Sequence, residues 1–343
     1  MMLVSELKEL LKKYNEEELR LLILEMYKAM PKKLREDNDI DALLQDVQAY
    51  LGKKKNEKKQ AKQIDIQELK LEIHQFIEHA FNQYYMVPNN VIRKSERPKW
   101  RFKVKAYIKS LQSVSVEGEG GRTATILLEQ LYKMLSYACG YYIFNTDNPF
   151  RSVGIEQTML LDMVLKRKLS SGISPEVVKP AVALVIDSIV DRETLHSELI
   201  IILVKNLKSP DAKEIAIEQC VALKAELASS KTKTDKKSWL SVSSIYERRE
   251  KNNNLVEMVF RLYMALGEYE KAIKYYHENY EERESEISLY VLLRMLLGYE
   301  LKEYWLREYD EAVQRGVKPR DVLQRTYKYI QENDSLPDYF IYN

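Results

Sequence analysis

The sequence predicts an all-α fold: helical hairpins stacked as an irregular α-solenoid, or superhelix, behind a small helical N-terminal module. Three observations carry that expectation. Only 10 Gly and 9 Pro punctuate 343 residues, too few for many short strands and tight turns. Apolar residues recur at three- and four-residue spacing along most of the chain, and no convincing run alternates as a half-buried strand does. Hydrophobic residues make up 45% and charged residues 31%, the balance of a packed globular chain and not of a disordered one.

The first module is predicted over residues 1–52. Leu3, Leu7, Leu10 and Leu11 recur at helical spacing, and "EEELRLLILEMYKAM" continues the pattern until Pro31 stops it. "DNDIDALLQDVQAYLG" adds a cap at Asp39 or Asp41 and a C-terminal stop at Gly52. Residues 53–63, with six lysines and one glutamate, form the expected basic linker.

A helical middle domain is predicted over 64–228. Its first helix runs from about Asp65 to Tyr85, with Leu69, Ile73, Phe76, Ile77, Ala80, Phe81 and Tyr84 on one face. A second starts at Pro98, because proline suits a first helical turn. "WRFKVKAYIK" alternates like a strand, but Trp100, Val104, Tyr107, Ile108 and Leu111 also form a helical stripe, and helix is preferred. "SVEGEGGRTAT" is expected to be a loop before a strongly apolar helix, and "NTDNPFRSVG" a break before another that ends ahead of Gly172. "SPEVV" at Ser174 and "SPDAK" at Ser209 read as helix starts, with Ser as cap and Pro in the first turn. Two antiparallel helices fit between them. A linker at 229–238, helical hairpins over 239–332 and a tail at 333–343 complete the prediction.

Within the hairpins, "LGEYEKAIKYYHENY" resembles the turn and second helix of a tetratricopeptide repeat. Gly267 stands at the turn, Tyr263 four residues before it, Tyr269 at the wedge between paired helices, Ala272 at the close contact, and Ile273 and Tyr276 on the next turn. Phe260, Asn279 and Glu284 depart from the pattern. "MLLG" at Met295 echoes "MALG" at Met264 after 31 residues, short of the family's ~34-residue period, and "RGVKPRDVL" turns at Gly316 and restarts near Pro319. The likeness is good over 255–283 and loose over 239–332. It implies stacked hairpins and a groove for a peptide; the rest of the chain resembles no family.

Chemistry is thinly represented. "GEGGRT" lacks the Lys-Ser/Thr ending of a phosphate-binding loop, and neither a GxSxG elbow nor HExxH occurs. Glu193 and His196 have ExxH spacing, but no second ExxH accompanies them. "DNDID" lacks the glycine and the final glutamate of a calcium loop. Cys139 and Cys220 sit in apolar helical patterns with no histidine near in sequence, as buried thiols do. No catalytic residue, metal or cofactor is predicted, and an enzyme is the least favoured class. The longest apolar run, "LIIILV", falls far short of the ~20 residues that span a bilayer, so no membrane partner and a cytoplasmic location are expected.

A net charge of +2 gives no global pull toward polyanions, yet Arg93–Lys109 carries eight basic residues and one acid. Two functions follow. The first is a non-catalytic scaffold or interaction module for a protein or peptide. The alternative is a nucleic-acid-associated protein using Lys99, Arg101, Lys103, Lys105 and Lys109, whose grip on phosphates would be salt-sensitive.

Overall fold

The computed structural model describes residues 10–37, 40–50, 65–86, 89–229 and 239–342. The predicted linkers, 53–63 and all but the first residue of 229–238, lie outside the described residues, as do Asp39 and Gly52. Among the described residues every regular element is helical, and sixteen α-helices pack into neighbours. The chain divides into two compact units, 1–65 and 66–343.

In the first unit, α1 (Glu16–Ala29) starts from a reciprocal cap: Asn15 Oδ1 accepts from Glu18 N and Glu18 Oε2 from Asn15 N, both at 2.9 Å. Glu16, Glu17 and Glu18 then lie where the helix dipole favours acids. After α2 (Lys32–Asp37) and α3 (Ile40–Gln45), the Tyr27 hydroxyl donates to Asp41 Oδ1 at 2.6 Å and ties α1 to α3. Asp41 is therefore a first-turn residue of α3 that accepts a side-chain bond from another helix.

The second unit contains α4 (Ile66–Phe81), α5 (Trp100–Ser113), α6 (Gly118–Gly140), α7 (Pro149–Val153), α8 (Gln157–Leu169), α9 (Pro175–Ile186), α10 (His196–Asn206), α11 (Pro210–Ser229), α12 (Trp239–Ala265), α13 (Tyr269–Asn279), α14 (Ser285–Gly298), α15 (Lys302–Gln314) and α16 (Asp321–Asn333). Helices two apart in the chain lie side by side: α4 on α6, α6 on α8, α8 on α10 and α10 on α12, with α5 on α7 and α9 on α11 in the other layer. Stacking of alternate helices in two layers is the solenoid arrangement, in which each hairpin buries its apolar face on the next.

Local chemistry accounts for the boundaries. The ambiguous "WRFKVKAYIK" is helical, and Trp100, Val104, Tyr107, Ile108 and Leu111 are all buried on one side of α5. Trp100 stacks on Phe144 at 3.9 Å between ring centres. Arg97–Lys99 forms a 3₁₀ turn, so Pro98 initiates that turn and the α-helix follows it. The expected loop "SVEGEGGRTAT" is shorter than anticipated, since α6 already begins at Gly118. The cause is Gly121, where a Cβ would stand 2.2 Å from the Val116 carbonyl oxygen. Only a hydrogen there lets the loop fold back over the helix start. Arg167 holds the fold-back, donating to the carbonyls of Val114 at 3.0 Å and Ser115 at 3.3 Å. Ser209 caps α11 by accepting from Ala212 N at 3.2 Å, whereas the Ser174 side chain makes no capping bond to α9, which rests on Pro175 in its first turn.

Residues 66–343 pack as one unit across the predicted break because α12 is apolar on two faces. Leu255, Met258, Val259 and Leu262 belong to the core built with α4–α11, while Val256, Phe260 and Met264 belong to the core of α12–α16. In that second core Ala272 and Tyr276 are fully buried, and the Tyr276 hydroxyl donates to Ser288 O at 2.9 Å. Gly267 takes the left-handed conformation (φ +78°) that reverses the chain between α12 and α13. Gly316 does the same after α15, but the sequence echo at Gly298 does not: Gly298 closes α14, and Glu300 two positions later takes the left-handed turn. Beyond α16, Phe340 packs beside Tyr290 of α14, and Ile341 N donates to Thr326 Oγ1 of α16 at 3.1 Å. Residues 340–341 thus lie against α14 and α16.

Candidate functional site

The basic residues of α5 split between two faces, because positions four apart align on a helix and positions two apart do not. Lys99 is engaged by Glu96 at 2.7 Å, and Lys103 lines a hollow shared with Glu72 and Glu96. Arg101, Lys105 and Lys109 follow the other ridge. Lys105 and Lys109 face a cleft of about 830 Å³, within the size range of ligand and peptide pockets.

Three stretches build this cleft. One wall is α5. The floor comes from Ile108 and from Val153, Ile155 and Met163, where α7 turns into α8. Gly154 makes that turn with φ +76°, and a Cβ on it would meet Lys105 Nζ at 3.5 Å. The far wall is Glu156 with Asp191, Glu193 and Glu198 from the segment entering α10. Asp191 is buried and fixed: its N–H donates to Gln157 Oε1 at 2.8 Å and its Oδ1 accepts from Glu193 N at 2.9 Å. Glu198 accepts from Leu195 N at 2.8 Å and orders the start of α10. Arg151 crosses the cleft to Glu193 at 3.0 Å. Three cations and four carboxylates therefore face one another over an apolar floor.

The other candidates do not converge. Glu193 lines the cleft, whereas His196 is turned inward, its Nε2 buried without a partner and its pKa lowered by burial. Among the described residues no three His, Cys, Asp or Glu side chains gather as a metal site. Burial pushes the Cys139 thiol up to about 12 and Cys220 higher still, so neither is a thiolate at neutral pH.

Around α13 and α15 the polar chemistry is structural. Tyr263 lies near Tyr275, and Tyr269 meets Tyr304 of α15 edge-on at 5.7 Å. Glu308 of α15 is buried and accepts from His277 Nε2 at 2.6 Å and from Arg307 at 3.3 Å, while Arg307 also grips Glu270 of α13 with two bonds. Burial pushes the Glu308 carboxyl up, but the hydrogen bonds from His277 and Arg307 outweigh it and hold it below the usual carboxylate range. Of the cleft's acidic wall the sequence singled out Glu193 alone, and only for its ExxH spacing; Glu156, Asp191 and Glu198 come from separate helices and turns.

Comparison with protein-family models, with curated proteins and with solved structures finds no match to the chain.

Proposed function

We propose that this chain is a non-catalytic helical-repeat scaffold that binds a polypeptide, and that the cleft between α5 and the segment entering α10 is where it does so. The observation that carries the reading is the pairing of walls of opposite charge over an apolar floor. A polypeptide presents both signs and apolar side chains, and complementary charges fix its register while the floor contributes affinity. A nucleic acid strand would meet four carboxylates facing Lys105, Lys109 and Arg151; that repulsion disfavours the alternative along α5.

The tetratricopeptide-like hairpins α12–α16 serve, on this reading, as the packed support of the array. Tyr276, Trp305 and Leu293 fill the space between their helices, and residues around Phe340 cover α14 and α16.

Affinity capture of the full chain at moderate salt, with and without nuclease, tests the proposal. The expected result is a discrete protein that survives nuclease and is lost when Lys105 and Lys109 are both changed to Glu. Recovery of nucleic acid that disappears with nuclease would overturn it in favour of the alternative. So would a protein partner indifferent to the double substitution, which would move binding away from the cleft.

A further inference from the structure

A second, smaller hollow opens beside the cleft along α5, and its charge is one-sided. It measures about 310 Å³ and is lined by Lys94, Arg97 and Arg101, together with Asn145, Tyr85 and Trp100. No carboxylate lines it. The acids adjacent in sequence are engaged elsewhere: Glu96 by Lys99 and Asp147 by Arg192, each at 2.7 Å.

Arg97 is held in place by its own loop. Arg97 donates from Nε to Ile92 O at 2.9 Å and from Nη2 to Asn89 O at 2.6 Å, which leaves Nη1 without an acceptor among the described residues. Asn89 in turn accepts from Val91 N and Ile92 N, both at 3.0 Å, so the loop that carries Lys94 is closed on itself. Trp100, stacked on Phe144, backs the hollow with a fixed ring. The Lys94 and Asn145 side chains have no protein partner among the described residues, and the Arg101 guanidinium has only the Phe102 ring at 5.0 Å. Three unopposed cations in one concavity repel one another, and a doubly charged anion removes that repulsion while accepting from all of them.

We infer that this hollow binds a tetrahedral phosphoryl dianion, either free inorganic phosphate or the monoester of a small molecule. A carboxylate would leave part of the positive charge unmet. A polynucleotide carries one charge on each phosphodiester, and its strand would run from here along α5 into the carboxylate wall of the neighbouring cleft. The site does not depend on the polypeptide reading and stands or falls separately.

Isothermal titration of the full chain at low salt with inorganic phosphate, phenyl phosphate and a single-stranded oligonucleotide tests it, with chloride as the reference anion. Saturable one-to-one binding of a phosphate species is expected. Loss of one charge-assisted donor corresponds to about tenfold or more in affinity, so Lys94→Gln and Arg101→Gln are each expected to weaken binding by at least that factor. Lys274→Gln, which removes the same charge from an exposed position on α13, is expected to leave it unchanged. Both test positions are exposed, and unaltered thermal unfolding of the variants verifies their fold. Tighter binding of phenyl phosphate identifies an ester as the ligand, and tighter inorganic phosphate the free ion. Absence of saturable binding would overturn the inference, as would binding that survives both substitutions or a response to the oligonucleotide alone.

Discussion

Gly121 and Glu308 are single residues whose neighbourhoods fix what a substitution does. Alanine at 121 puts a methyl group 2.2 Å from a backbone oxygen, a clash that flexible side chains cannot absorb. Overpacking of this kind costs about 1–3 kcal/mol, and the G121A chain is expected to melt correspondingly lower in a calorimeter, whereas Ala at Gly120, with open space around its Cβ position, is not. For Glu308 the sign follows from a carboxyl held low in the folded state. Its contribution is fully present above the ordinary carboxylate pKa and is lost as pH falls through the depressed folded value. Stability is therefore expected to drop on acidification below about pH 4.5, and E308Q to lose about 2 kcal/mol at neutral pH while flattening that acid limb in urea titrations. Glu308 could have been found in the sequence. It stands three residues after Trp305 and four before Ala312, on the stripe the helix buries, and a charge there needs partners. Gly121 offered no such signal, because what it accommodates is a backbone five residues earlier.

At the scale of elements, α12 shows how a correct periodicity can still leave a helix's second partner unread. The apolar stripe of each helix was legible, since 3.6-residue spacing needs only local sequence. That α12 would show two stripes to two cores was not, because a helix apolar on both sides reads simply as buried. A fragment starting at Trp239 keeps Val256, Phe260 and Met264 covered and exposes Leu255, Met258, Val259 and Leu262. It is expected to bind a hydrophobic dye and to associate, where the chain from 66 onward remains dye-silent. The basic ridge of α5 was equally readable as Arg101, Lys105 and Lys109. Its opposing wall was not readable as a wall: Glu193 stood out only for its spacing to His196, and Glu156, Asp191, Glu193 and Glu198 share no helix face and meet only through the packing of α8 on α10.

For the 66–343 unit as a whole, a shared helix joining two cores predicts cooperative unfolding. Chemical denaturation followed by tryptophan fluorescence and by far-ultraviolet circular dichroism is expected to give coincident transitions, because Trp100 lies in one core and Trp305 in the other. Two separated transitions would mean that α12 does not couple them. A mixed-charge cleft and a purely cationic hollow both line α5, so the chemistry of this unit gathers on one helix.

The tail laid over α14 and α16 has a consequence for how such arrays grow. A stack of hairpins ends in a face that another hairpin, from the same or a second chain, fits by construction. Here Phe340, Ile341 and Tyr342 occupy that face, with Arg325 Nη1 donating to Tyr342 O at 2.5 Å. Residues 340–342 thus cover apolar surface that a further hairpin would otherwise use; changing Phe340 to Asp is expected to unseat this segment and to produce concentration-dependent assembly in sedimentation.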